Sequence, residues 1–170
     1  MTTTARLALL DCEAALEDLR SEPRGLQWRT RWAAAVALLR AVGHILKNVD
    51  HQSSRAMAVA IDAEFAALKA TKPEPAIFWQ FIDQERNNIL KSYKPSAKQN
   101  VTIQVPTIVV NRHTREAWME GETEVAYDHV MSDGPFQGRD PREIVAQAVV
   151  WWREYLDRVD QRALGNEGSV

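Results

Sequence analysis

Between residues 28 and 49 the apolar side chains recur at alternating steps of four and three: Trp28, Trp32, Ala35, Leu39, Val42, Leu46 and Val49, with Leu38 and Ile45 widening the stripe. That period belongs to an α-helix, and a stripe this broad needs cover from more than one neighbour. The segment therefore reads as the central helix of a bundle. Its neighbours are legible by the same rule. Residues 5–20 carry Leu7, Leu10, Ala14 and Leu16 against an acidic face of Asp11, Glu13, Glu17 and Asp18, and Pro23 and Gly25 close the segment. Residues 53–69 repeat the pattern with Met57, Ile61, Phe65 and Leu68 behind the capping-prone Ser53 and Ser54. A fourth helix over 76–93 buries Phe78, Phe81, Ile82, Ile89 and Leu90, and Pro95 stops it.

The period changes at residue 101. Val101, Ile103 and Val105 alternate with polar residues, Ile108 to Val110 continue past Pro106, and Val125, Tyr127 and His129 suggest a return strand. Pro106 donates no ladder hydrogen bond and marks an edge or a bulge. After a Gly- and Pro-containing loop, Asp140-Pro141-Arg142-Glu143 starts a last helix: Asp140 to cap, Pro141 at the first position, Glu143 to reach back. That helix carries Val145, Ala148, Trp152, Tyr155, Leu156 and Val159 to near Gly165, with Trp151 and Trp152 on opposite sides, one for the core and one free to meet a partner or the hairpin. The expected fold is mainly α: a bundle of about five helices with a β-hairpin insertion, residues 101–131, between the fourth and last helices, in one domain over 1–170.

Composition supports this. At 19.3 kDa, 45% hydrophobic and 26% charged, the chain can bury about 70% of its unfolded surface, leaving roughly 8,500 Å² exposed. The single Cys12 excludes an internal disulfide and a multi-cysteine zinc site, and reads as a small buried hydrophobe. The N-terminus lacks a signal core, and the longest apolar run, Trp32 to Leu39, ends at Arg40. The expectation is a soluble, cytoplasmic protein with no membrane segment.

The chemistry-bearing segment is residues 81–93. On an α-helix Arg86 and Tyr93, seven apart, share a face, and Asp83, Asn87 and Lys91 form a second row. A guanidinium there can grip a phosphate while Asn and Tyr position it. The same residues equally suit a structural role, with Arg and Lys snorkelling and Tyr bracing the bundle. On the second helix Arg40, His44, Lys47 and His51 line up opposite the apolar stripe, either as a groove for phosphate or RNA together with Lys94, or as a solvated basic face. His44 and His51 are too far apart for a local metal pair, and His113 with Asp128 or His129 across the hairpin is the remaining, weak candidate. No metal and no cofactor is expected, and no Gly-rich phosphate loop, nucleophile elbow or Cys/His relay is present.

Arg86-Asn87, four residues, then Lys91-Ser92-Tyr93 resembles the motif of the HEPN superfamily of small helical bundles. There an Arg, often followed by Asn, precedes a His by four to six residues near the end of a late helix, and one subgroup adds a Tyr two residues after that His. The resemblance covers that motif and the helical outline of residues 5–93 and 141–162; the hairpin lies outside it. It implies a homodimer with two motif copies facing each other, metal-independent ribonuclease activity, and a place in toxin–antitoxin or phage-defence systems with an operon-encoded partner. Arg86 would hold the scissile phosphate, Asn87 orient the site, and Tyr93 stand where that subgroup can be nucleotidylated. Lys91 occupies the His place. An imidazole exchanges protons near its ordinary pKa of about 6.5, whereas an ammonium ordinarily titrates near 10.4, so Lys91 suits phosphate charge better than proton transfer. Two readings follow: an RNA-binding relative that cuts weakly or not at all, and a non-enzymatic adaptor or immunity bundle.

Charge sharpens the first reading. The net charge is only −2, which argues against a uniformly basic binder, but the charges are segregated along the chain. Residues 23–49 hold five cations and no acid, residues 86–115 six cations and no acid, and residues 116–138 six acids and no cation. If the second and fourth helices are neighbours, the cationic blocks can share a groove, and the acidic strand can lie over it or over a partner's copy.

Overall fold

The computed structural model describes residues 1–167. It is mainly α with a β-hairpin insertion ahead of the last helix, as the periodicity predicts. Helices α1 (Thr3–Arg20), α2 (Leu26–Asn48) and α3 (Arg55–Ala70) are followed by a fourth rod over residues 77–92. In that rod π-helical turns Ile77–Asp83 and Asn88–Ser92 flank the short α4 (Gln84–Asn87). The long α5 (Pro141–Glu167) ends two residues beyond Gly165. Among the described residues no helix is long and apolar enough to cross a membrane.

Helix α2 is central, burying Trp28, Trp32, Ala35, Val36, Leu39, Val42 and Leu46, while Val49 has left the helix and is half exposed. Trp152 of α5 reaches it at Gly43, where an added Cβ would lie 2.9 Å from the indole ring. Phe78, Trp151, Trp152 and Tyr155 form a chain of ring contacts from the fourth rod to α5. Trp151 is thus spent on the bundle: it stacks on Tyr155 at 5.1 Å and packs against Phe78 at 5.0 Å, leaving neither tryptophan for the hairpin.

Helix α1 buries a different stripe from the one through Leu7, Leu10 and Ala14, sharing only Leu16 with it. Ala5, Ala8, Leu9, Cys12, Leu16 and Leu19 face inward, and Leu7 and Leu10 are exposed. The phase is set at the N-terminus, whose orphan amides are capped from afar. Asp50 accepts from the amides of Thr4 and Ala5 at 3.0 and 2.8 Å, and Asp160 accepts from the Thr2 amide at 2.7 Å and from Arg6. With that turn pinned, the small residues meet α2. In α3, capped by Ser54, the stripe places Glu64 inside, bonded to Arg162 at 2.8 Å, and leaves Phe65 at the edge of exposure. At the head of α5 Asp140 accepts from the Arg142 amide at 2.8 Å and is gripped by the Arg142 guanidinium. Glu143 turns toward Arg139 rather than back to the cap.

The insertion begins at residue 97, four earlier than its alternation suggests, and is one ribbon in two registers. β1 (Ala97–Gln104) pairs antiparallel with β4 (Glu124–Met131), and β2 (Thr107–Val110) with β3 (Ala117–Glu120). Pro106 on one side and Gly121 on the other mark the break between the two ladders. Only the root is buried, at Ala97, His129 and Met131. There Gln99 accepts from the Gly25 amide at 2.7 Å and donates to His129 Nε2 at 2.8 Å, and the His129 ring lies 3.8 Å from that of Trp28.

Candidate functional site

The fourth rod runs antiparallel along α2, and three contacts set their register. Arg40 Nε lies 3.2 Å from Asp83, Trp32 Nε1–H donates to Glu85 at 3.0 Å, and the Arg29 guanidinium sits 5.7 Å over the Tyr93 ring. Glu85 is the pin of this arrangement. It is buried in phase with Phe78, Phe81, Ile82 and Ile89, and the same oxygen that takes the Trp32 N–H also accepts from the Ser96 amide at 2.8 Å. That phase is visible in the sequence and is the signal that would have identified Glu85.

The four motif residues do not form one constellation. Positions seven apart align on an α-helix, but the π turn Asn88–Ser92 closes five residues on rather than four and rotates the following face. Leu90, expected in the core, is turned out to solvent, and Tyr93 ends the rod in the left-handed conformation at φ 53°. Tyr93 therefore lies beside Arg29, with exposed Lys91 and Lys94 at the same end of the rod. Arg86 and Asn87 belong with Arg40, Asp83 and His44. Arg29 and Arg40 are eleven residues apart on α2, about 16 Å of helix.

In the inner cluster Arg86 is half-buried and donates to its neighbour Asn87 Oδ1 at 3.1 Å. It pairs with no carboxylate among the described residues: Glu13 is taken by Arg153 and Glu64 by Arg158 and Arg162. Arg40 keeps Asp83. Partial burial, then the charges of Arg40 and Arg86, hold the His44 imidazole below its ordinary pKa against the opposing pull of Asp83. His44 is thus neutral at pH 7 beside two guanidinium groups. Lys47 stands apart, drawn to Asp62 of α3 at 2.5 Å with His51 at 3.3 Å. An apolar cavity of about 140 Å³ opens between α2, α3, the fourth rod and α5, with Arg40, His44 and Lys47 at its polar side and Phe65, Phe78 and Trp152 along its apolar wall.

The remaining candidates separate. His129 is buried at the root of the ribbon and His113 lies in the turn at its far end, so they cannot share an ion, and no group of three or more His, Cys, Asp or Glu suited to a metal occurs among the described residues. The charge segregation is also partly undone, because the antiparallel ribbon lays residues 97–115 against 116–131, three cations against five acids. Chemically, Arg86, Arg40 and Asn87 offer forked donors to an anionic oxygen, with a neutral imidazole adjacent. No family model matches the chain, and neither a curated protein nor a solved structure matches it significantly.

Proposed function

We propose that the protein is a HEPN-like homodimer that binds RNA or nucleotide phosphate at the inner cluster, with Arg86 as the principal grip and Asn87, Arg40 and His44 around it. The observation that carries this reading is Arg86 itself. A half-buried guanidinium that, among the described residues, bonds an adjacent amide and is matched by no carboxylate keeps its fork free for an external anion. Arg40 is shared with Asp83 and adds charge at the rim, and Lys91, Tyr93 and Lys94 supply a second contact for a chain of phosphates running along the α2 edge.

Binding without efficient cleavage is the form the geometry favours. Lys91, in the His place of the motif, is an exposed ammonium, and the imidazole near Arg86 comes from α2 rather than from the motif. A weak or inactive ribonuclease of a toxin–antitoxin or phage-defence system, meeting an operon-encoded protein, is the setting the motif resemblance supplies. A non-enzymatic adaptor or immunity bundle is the second reading, favoured by the withdrawal of Lys47 to Asp62.

The test is fluorescence anisotropy with a labelled single-stranded RNA, combined with RNA integrity in overexpressing bacteria. Arg86→Ala should weaken binding by about tenfold, roughly 1.4 kcal/mol, and wild type should leave cellular RNA largely intact. Equal RNA affinity of wild type and Arg86→Ala, or no salt-dependent binding at low ionic strength, refutes the proposal.

A further inference from the structure

We propose that residues 97–131 form an exchange arm that, in a homodimer, lies across the second copy, its apolar face and glutamate edge covering that copy's surface around Leu26, Arg29, Leu90, Lys91, Tyr93 and Lys94. This rests on the homodimer of the proposed function and is independent of what Arg86 binds.

The pairing register supplies the first reason. Opposed residues share a face, so Ala97/Met131, Val101/Tyr127 and Ile103/Val125 lie on one side, interrupted by the hydrogen-bonded pair Gln99/His129. Its near half enters the bundle core. Its far half runs past the start of α2, where the Arg24 guanidinium lies 4.4 Å over the Tyr127 ring while Val101, Ile103 and Val125 stay exposed, and the outer ladder, with Ile108 opposite Met119 and Val109 opposite Trp118, has apolar pairs on both faces. Val101, Ile103, Val125, Ile108, Trp118 and Met119 are between 46 and 68% exposed. Trp118 points to the ribbon face opposite that of Ile108 and Met119, so each face carries only part of this apolar surface. The whole chain exposes 10397 Å² against the roughly 8,500 Å² expected of a compact monomer of its mass, and the arm is a place for such a surplus. An isolated two-stranded ribbon with both edges open is marginal in water and needs a partner surface.

Charge identifies the partner. Glu120, Glu122 and Glu124 on the arm make no ion pair among the described residues, and neither do Arg29, Lys91 and Lys94 on the body, whereas most other cations of the bundle are matched. Those unmatched cations surround Leu26, Leu90 and Tyr93, which are 62 to 65% exposed. One copy therefore carries an apolar strip with an acidic edge and an apolar patch with a cationic rim, and each supplies what the other lacks. The arm is rooted at Gly25, beside that patch. Some twelve residues from root to tip span about 40 Å, enough to cross a neighbouring bundle. A two-fold operation then satisfies both arms at once.

Sedimentation velocity of the full chain between about 1 and 100 µM tests this, with far-UV circular dichroism as the fold control. Wild type should be dimeric. Ile108→Glu with Met119→Glu, both on exposed arm positions, should raise the dimer Kd at least 100-fold without loss of helix signal. Glu120→Lys with Glu122→Lys should dissociate the dimer, and adding Lys91→Glu with Lys94→Glu should restore it. A monomeric wild type, a dimer indifferent to the arm changes, or failure of the charge swap to restore association overturns the proposal. RNA anisotropy run on the same samples keeps the two ideas apart: loss of RNA binding in Arg86→Ala leaves the arm untouched, and dissociation by the arm variants says nothing of Arg86.

Discussion

Replacing Glu85 tests whether one buried carboxylate holds the motif-bearing rod in register. Its Oε1 accepts from Trp32 Nε1–H and from the Ser96 amide, tying the rod to α2 and to the start of β1. Glu85→Ala leaves both donors buried and unsatisfied. At about 1–3 kcal/mol for each orphaned group, the expected loss is about 4 kcal/mol. Unfolding entropy near 2.1 cal/mol/K per residue makes that about 11 °C in Tm for a chain of 170 residues. Glu85→Gln is the informative control. Both bonds fall on the same oxygen, so the amide oxygen of Gln keeps them, and only the 3.4 Å contact from Asn88 to the other oxygen is lost. The cost should be about 1 kcal/mol. Thermal and urea melts followed by circular dichroism and tryptophan fluorescence measure both. If Glu85→Gln falls as far as Glu85→Ala, charge rather than hydrogen bonding holds the rod and the reasoning fails; a loss below about 1 kcal/mol in Glu85→Ala refutes it equally.

Gly43→Ala should destabilise although alanine is the better helix former, because its Cβ would press to 2.9 Å from the fully buried Trp152 ring; about 1–2 kcal/mol is expected in urea, and a stabilised variant would show that the ring can yield. Burial, then the nearby Arg142 cation, hold the His129 imidazole below its ordinary pKa, so the folded state takes up fewer protons than the unfolded one. Its contribution to stability is complete above the unfolded pKa of about 6.5 and is lost as pH falls below that value. Urea midpoints at pH 7.5 and 5.5 should therefore differ less in His129→Gln than in wild type, with His44, shifted the same way, supplying a residual slope; an unchanged difference overturns the assignment.

Helix existence was legible in the sequence because a 3.6-residue period over 15 or more positions has few other meanings. Helix phase was less so. In α1 two stripes compete, one through Leu7, Leu10 and Ala14 and one through Ala5, Ala8, Leu9, Cys12 and Leu19, with Leu16 common to both and three leucines on each, so hydrophobicity alone does not separate them. The structure selects the second, because carboxylates 45 and 158 residues away cap the first turn and leave no freedom to rotate. Cys12 sits on that winning stripe, where burial pushes its thiol pKa up to about 12 and keeps it unreactive, the inert hydrophobe its sequence context suggested. The fourth rod fails differently. Its residues are right and its helix is right, but π turns at both ends change the angular step, and a spacing argument built on the α-helix puts Leu90 inside and Tyr93 beside Arg86.

The charge runs show why a linear count misleads most at the ribbon. Along the chain, residues 86–115 are purely cationic and 116–138 purely acidic, which invites a picture of a basic groove under an acidic cover. An antiparallel hairpin folds its second half back on its first, so Lys98, Arg112 and Arg115 end beside the acids that follow them, and the ribbon keeps an excess of only two negative charges. What survives is more local and more specific: glutamates without partners on the arm, and cations without partners at the junction of α2 and the fourth rod. A cover lying on its own groove would have produced ion pairs between those sets, and none occurs among the described residues. The acidic cover on its own groove is therefore not what these charges form; under the exchange-arm proposal the same glutamates would reach the cations of a second copy. In that arrangement the arm's glutamates and an RNA phosphate would compete for Lys91 and Lys94 while leaving Arg86 to the nucleic acid, so arm docking would screen weak polyanions from the rim without closing the inner cluster.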